Sequence, residues 1–367
     1  MTSPTSLLAR AIQGDVRWGA TSDWEPHALA DAADDHGVAA LLWRALEPVD
    51  TAAASALRTL LADRVRADAT RDLFVQREMH GVLAALADAG VRALVIKGSA
   101  LAYTVYGEAW LRPRTDTDVL VSSEDVAAAG RVLEGAGYTR SNALTSGTLV
   151  SHQAAFERID QHEVHYVVDL HWKIVNPQML ADSLPFEDLW QGGQEAPALG
   201  PAARVPSPVA SIALGCVHRL AHHQGHDRLI WLYDLRLLSA ALGEPDWHTM
   251  EELACKRQIA GLCLDGLRQA RDRVGGSLPE PVDRVLAEAA VSEPSRIYLD
   301  GPVHKRDVLV SDLARLRDWR AKARLLREHA FPPSAFIKER YHTRSRWLLP
   351  ALYVHRLVTG AFRWVRP

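Results

Sequence analysis

Apolar and polar positions follow three regimes along this chain. Over 24–46 and 51–87 apolar residues recur every three or four positions, with Leu57, Leu60, Leu61 and Val65 followed by Leu73, Val82, Leu83 and Leu86. That spacing predicts helices, and residues 1–88 read as a helical N-terminal module. From about residue 90 to 200 the period changes. Runs rich in β-branched and apolar residues at 91–96, 117–121, near 149–159 and at 163–174 predict strands, while 100–106 and 124–134 predict helices. Asp160, Gln161 and His162 predict a hairpin turn between the last two strands. Beyond Pro206-Ser207-Pro208 helical periodicity resumes to the C-terminus, broken near Pro279 and at Phe331-Pro332-Pro333. The expected architecture is α/β (α+β), a small mixed sheet at 89–205 flanked by helices, with a helical C-terminal domain at 206–367.

The chemistry concentrates between residues 95 and 121. An apolar run ends at Lys97-Gly98-Ser99, and Asp116 and Asp118 stand one residue apart where the next strand begins. Alternation on a strand puts both carboxylates on one face, roughly 6 to 7 Å apart. Unpaired, they repel and one tends to keep its proton; a divalent cation between them reverses that balance. Mg²⁺ (or Mn²⁺) takes oxygen ligands and keeps positions open for water and phosphate, so a metal-bound nucleotide is the expected ligand. Gly98 permits close approach of the backbone to phosphate at a strand-to-helix turn, and Ser99 is either part of that cradle or a helix cap. A third acid comes from the 163–174 strand, where Val167, Asp169, His171 and Lys173 share one face and Val168, Leu170 and Trp172 the other. A face carrying Asp, His and Lys together points at solvent or at a site. Lys97, Arg112 and Arg114 are candidate partners for phosphate, Arg through its planar fork.

These residues resemble the nucleotidyltransferase superfamily with the DNA-polymerase-beta-like core. Its pattern is a Gly-Ser turn after a strand, an Asp-x-Asp on the next strand and a third carboxylate on a later one. The closer likeness is to a poorly characterised bacterial branch, carried by Lys97-Gly98, Leu111-Arg112-Pro113, Asp116-Thr117-Asp118-Val119-Leu120-Val121 and Asp169-Leu170-His171-Trp172. The stretch from His218 to Leu235 and the Phe331-Pro332-Pro333-Ser334 segment also look like that branch. Thr117 departs from it, standing where an aliphatic residue is usual, and sixteen residues separate Ser99 from Asp116, more than in minimal members. The resemblance implies Asp116, Asp118 and Asp169 as metal ligands and catalytic residues, with Asp169 helping to deprotonate the acceptor. Lys97, Gly98, Ser99, Arg112 and Arg114 are the expected nucleotide-binding residues, with Arg112 the better supported of the two arginines because it matches the branch's Arg-Pro. The implied reaction is attack on the α-phosphorus of a nucleoside triphosphate, with release of pyrophosphate and two divalent ions holding the attacking and leaving oxygens.

Composition narrows the partners. The chain has 367 residues, 48% hydrophobic and 24% charged, with a formal charge of −3, so no global field draws it to nucleic acid. A small-molecule acceptor is expected, with an acceptor RNA or protein as the toxin-like alternative and a catalytically silent nucleotide-binding regulator as the other. Cys216, Cys255 and Cys263 match no zinc spacing and read as thiols of a reducing cytoplasm. No signal peptide or membrane-spanning run is evident. His218, His222, His223 and His226, with Asp227 and Asp234, form a second cluster. His222, His226 and Asp234, like His171 and Lys173, are expected to line the cleft or touch the acceptor; zinc is the less favoured reading because no third ligand or Glu of an H-E-x-x-H motif is present. The C-terminal run with Trp347, Leu348, Leu349, Tyr353, Leu357, Phe362 and Trp364 among arginines reads as a helix covering a core with Arg stems along its rim. A membrane-surface helix is the alternative.

Overall fold

The computed structural model describes residues 3–16, 25–141, 147, 149–223, 226–301 and 305–365. Three short helices, α1 (Pro4–Ala11), α2 (Pro26–Asp35) and α3 (Ala39–Ala45), lead into the 37-residue α4 (Ala52–Asp88). Thr51 starts α4 by accepting the Ala54 amide on its hydroxyl at 3.2 Å. The helix is amphipathic in two stretches. Leu57, Leu61 and Val65 pack with the N-terminal helices, whereas Val75, Met79, Val82, Leu83 and Leu86 pack on the sheet.

Strand β1 (Ala93–Ile96) follows, then α5 (Lys97–Ala102), β2 (Thr117–Val121) and α6 (Val126–Gly135). The helix expected at 100–106 therefore starts three residues earlier, at Lys97 itself, and ends at Ala102. Lys97 turns the chain sharply with a φ of 56°, a left-handed conformation that costs a side-chain-bearing residue energy. A two-residue strand, β3 (Thr139–Arg140), precedes β4 (Gln153–Ile159) and β5 (His165–His171). β3 is too short for a sequence period to reveal. The hairpin between β4 and β5 turns on Asp160, whose carboxylate accepts the amides of His162 and Val164 at 2.8 and 3.0 Å.

The five strands form a mixed sheet in the order β1-β2-β5-β4-β3. β1 runs antiparallel to β2, β2 parallel to β5, and β5, β4 and β3 antiparallel to one another. One face buries Val95, Val119, Val121, Phe156, Val168 and Leu170 against α4 and α6. The other carries Leu94, Ile96 and Leu120 together with Asp118, Asp169 and His171, Ile96 being in register with Asp118.

After α7 (Gln178–Ala181), α8 (Phe186–Gln191) and a small hairpin, β6 (Gln194–Glu195) with β7 (Arg204–Val205), the chain becomes helical. Helices α9 (Pro208–His223), α10 (Leu229–Ala240), α11 (Glu244–Lys256), α12 (Ala260–Val274) and α13 (Glu280–Ala290) share one apolar cluster with α1, α2 and α3. The start of α10 is tied to the end of α2: Arg228 donates to the Asp34 and Asp35 carbonyls, and the Ile230 amide donates to the His36 carbonyl. Cys216, Cys255 and Cys263 are free thiols.

The last helices are α14 (Lys305–Arg315), α15 (Trp319–Ala330), α16 (Ser334–Arg340) and α17 (Leu349–Val365). Here the structure departs from expectation. α17 packs on α16 and anchors the Tyr353 hydroxyl on the Pro332 carbonyl at 2.6 Å, yet Trp347, Leu348, Val354, Leu357 and Val358 are exposed. It is therefore no cover for a core. Phe362 and Trp364 lie beyond the described side chains. No helix among the described residues is long and apolar enough to cross a membrane.

Candidate functional site

The parallel register of β2 and β5 pairs Asp118 with Asp169 and Leu120 with His171. Asp118, Asp169 and His171 therefore present ligand atoms from one sheet face, all within 4.8 Å of one another. Among the described residues this is a group of three donors able to hold a metal ion. Two carboxylates and an imidazole suit a divalent cation. Asp116, just before β2, lines the same cavity but stands outside that tight set. His171 is the addition: its alternation with Asp169 placed it on the right face, but nothing in the spacing made it a ligand candidate.

Electrostatics divide the acids. Burial alone would raise Asp118, but the Lys97 ammonium at 2.8 Å and the His171 imidazole at 2.8 Å from its Oδ1 outweigh that, and the net shift is downward. Asp169 has no such partner. Burial, then the charges of Asp118 and Asp116, push it up to about 7, and its Oδ1 is buried without a hydrogen-bond partner. Asp116 is also raised, by burial and then by Asp118. His171 is lowered by burial and by the Lys97 charge, so its ring is neutral, the form that binds metal. An orphaned carboxylate oxygen beside an ionised one and a neutral imidazole is the donor set a cation fits. Lys97 supplies positive charge there, with its Nζ 3.5 Å from His171 Nε2.

The loop from Arg112 to Asp116 is fixed by buried ion pairs. Arg112 donates from Nε and Nη2 to Asp234 at 2.9 to 3.1 Å, and the Tyr106 hydroxyl donates to the same carboxylate at 2.7 Å. Arg114 is held by Asp72 at 2.5 Å and lies over the Tyr103 ring. Arg71, the residue before Asp72 on α4, donates to the carbonyls of Arg114 and Thr115. All three expected phosphate partners, Lys97 with Asp118 included, are thus matched by carboxylates while still lining the cavity. Gly98 carries the close approach: a Cβ there would meet the Arg112 guanidinium at 3.0 to 3.3 Å. Ser99 caps no helix; its hydroxyl reaches the Asp116 carbonyl and the Thr117 hydroxyl, both at 3.3 Å. Thr117 at its unusual position thereby has a polar partner.

These groups open into a cavity of about 480 Å³ between the sheet, α4, α9 and α10. His218, His222 and His223 line it, with the His218 and His222 rings 4.8 Å apart and His223 4.2 Å from Trp231. Burial lowers all three, His222 to about 3, which favours neutral rings on this wall; they are tilted against one another, by 37° between His218 and His222. Asp234 also lines the cavity. Three expected contacts are outside its lining: His171 is buried against Asp118, Lys173, past the end of β5, pairs with Asp182 at 3.0 Å, and His226, beyond the end of α9 at His223, is exposed. Gly225, the residue at issue for continuing that helix, lies outside the described residues. Asp34, Asp68, Arg228 and Trp231 line the cavity too. Sequence spacing could not find them, because α2, α4 and α10 meet the sheet only in three dimensions.

A family model described as an uncharacterised nucleotidyltransferase matches residues 22–275. No curated protein matches the chain.

Proposed function

From the premise that the chain belongs to this family of uncharacterised nucleotidyltransferases, we propose a metal-dependent transfer of a nucleoside monophosphate from a nucleoside triphosphate to a small-molecule hydroxyl or phosphate, with release of pyrophosphate. One observation carries the reading: Asp118 and Asp169 are register partners on adjacent parallel strands and line a cavity of about 480 Å³, with His171 buried beside Asp118 and within ligand distance of both. Such a volume suits a nucleotide-sized ligand.

In this reading Asp118, Asp169 and His171 hold Mg²⁺ or Mn²⁺, and Asp116 adds negative charge at the same mouth. The ion, when bound, neutralises phosphate oxygens and makes the attacking hydroxyl more acidic. Asp169, ionised when the ion is bound, would take up that proton. The acceptor oxygen forms its bond to the α-phosphorus as the bond to pyrophosphate breaks.

Lys97 exchanges its partner Asp118 for a phosphate oxygen once the carboxylates are otherwise compensated. Arg112, clamped by Asp234 and Tyr106, is a positioning residue that fixes the Gly98 turn. Arg228 brings a further guanidinium, held by the backbone carbonyls of Asp34 and Asp35. The neutral rings of His223 and Trp231 offer a stacking surface for a base.

Incubation with Mg²⁺, each nucleoside triphosphate and a pool of small metabolites, with pyrophosphate measured and products read by mass spectrometry, tests the proposal. Asp118→Ala and Asp169→Ala should each lower turnover by about a thousandfold or more. Pyrophosphate release that survives either substitution would remove these residues from the reaction. Its absence with every triphosphate would favour a silent nucleotide-binding protein.

A further inference from the structure

The C-terminal helices differ in chemistry from the rest of the molecule. Between positions 305 and 367 stand fifteen Lys and Arg residues against five Asp and Glu, a formal +10, while the whole chain is at −3, which leaves the remainder at −13. The segment also lies beyond residues 22–275, the part matched by the family. Among its described residues the ion pairs are Arg306 with Asp307 and Arg324 with Glu328. Arg317, Arg320, Arg327, Arg340, Arg344 and Arg346 are exposed.

Large apolar side chains are exposed on the same helices. Trp347 is 93% exposed and Trp319 71%. Helical spacing orders those on α17: Ala351, Val354 and Val358 follow one another at three and four residues and are all exposed, with Leu357 alongside, and Trp347 stands exposed in the turn just before the helix. On α15, Trp319, Ala323 and Leu326 repeat the pattern. An apolar stripe with Trp at its edge and arginines around it can bury its stripe below the headgroups of a bilayer while the guanidinium groups stay at phosphate level.

We propose that α14 to α17 form a peripheral membrane-binding module that seats this protein on an anionic lipid surface. Charge complementarity selects that occupant. A second copy presenting the same face would meet a like charge of +10. A nucleic acid would satisfy the arginines but leave Trp347, Val354 and Val358 against a polar backbone. Of the three, an anionic lipid surface meets both the charge and the stripe. The proposal stands whether or not the cavity transfers nucleotides.

The test is co-flotation of the full chain with vesicles of phosphatidylcholine alone or with about 30% phosphatidylglycerol, at about 0.15 M salt. Binding is expected to the anionic vesicles and not to the neutral ones. Arg344→Gln with Arg346→Gln should lower the partition coefficient by about thirtyfold, from the loss of two surface charges. Trp347→Ser with Val354→Ser should weaken binding to anionic vesicles comparably, and Arg66→Gln on α4 should change nothing. Circular dichroism and thermal melting of each variant report that the fold is retained; all these side chains are exposed. Failure of the parent chain to float, or flotation unaffected by both double substitutions, overturns the proposal. So does retention of single-stranded RNA without vesicle binding, or a dimer that either double substitution dissociates.

Discussion

Replacing Asp169 with Asn tests the electrostatic core of the site. The Asp169 carboxyl is raised from 3.8 to about 7 by burial and by the neighbouring charges of Asp118 and Asp116. Proton release on metal binding follows, because a carboxylate must ionise to ligate. For a group titrating near 7, about 0.9 proton should be released per ion near pH 6, about 0.5 near pH 7 and about 0.1 near pH 8. Apparent affinity should fall about tenfold for each pH step below 7. Asp118 is lowered and ionised throughout, and His171 is lowered by burial and by the Lys97 charge, which reduces its share of the release. Titration calorimetry with Mn²⁺ in two buffers of different ionisation enthalpy reads the proton count directly. Asp116→Asn, run in parallel, separates that acid's share.

The same shift bears on stability. A raised carboxyl favours folding below its unfolded value near 3.8, and that favour is lost as pH rises through about 7. Above neutrality the folded metal-free protein holds a poorly compensated charge, costing roughly 4 kcal/mol for the full interval. Asp169→Asn should therefore stabilise the metal-free protein at pH 8, lose metal binding and abolish the pH-dependent release. Release that stays near zero from pH 6 to 8, or persists in Asp169→Asn, refutes the reasoning.

Three further outcomes follow from the geometry. Gly98→Ala should push the Arg112 guanidinium, 3.0 Å from the new methyl, and lower activity about tenfold or more with little change in metal affinity; nucleotide titration and turnover measured together check it. Asp234→Ala strands a buried guanidinium and should cost about 3 to 5 kcal/mol in denaturant unfolding, whereas Arg112→Met with Asp234→Leu should recover most of that loss. Lys97→Met should tighten Mn²⁺ binding, because the ammonium 2.8 Å from Asp118 competes with the ion, while weakening triphosphate binding; unchanged metal affinity would show that Lys97 does not compete.

Much of the fold follows from local pattern. The period of α4, the strand runs at β1, β2 and β5 and the Asp160 turn are all written in short stretches, since each rests on interactions a few residues apart. Asp118 and Asp169 are equally legible, because alternation on a strand fixes which face a side chain takes, whereas Asp116 precedes β2 and falls outside the tight donor set. Local reasoning failed where geometry was unusual or distant. The left-handed Lys97 starts α5 early, because β1 ends directly against Asp118 and the chain must turn at once. Lys173 and His226 share a plausible period with site residues, but β5 and α9 end before reaching them.

The sequence by itself determined the acids, the elements that carry them and the Gly98 turn, because these depend on side-chain type and periodicity. The tertiary structure decided which donors converge and which cations are already taken. It set Asp118 beside Asp169 through strand register, matched Arg112 with Asp234 across 122 positions, and left the α17 stripe uncovered. Register, ion pairing and exposure depend on what packs against each element, and no one-dimensional pattern contains the partner.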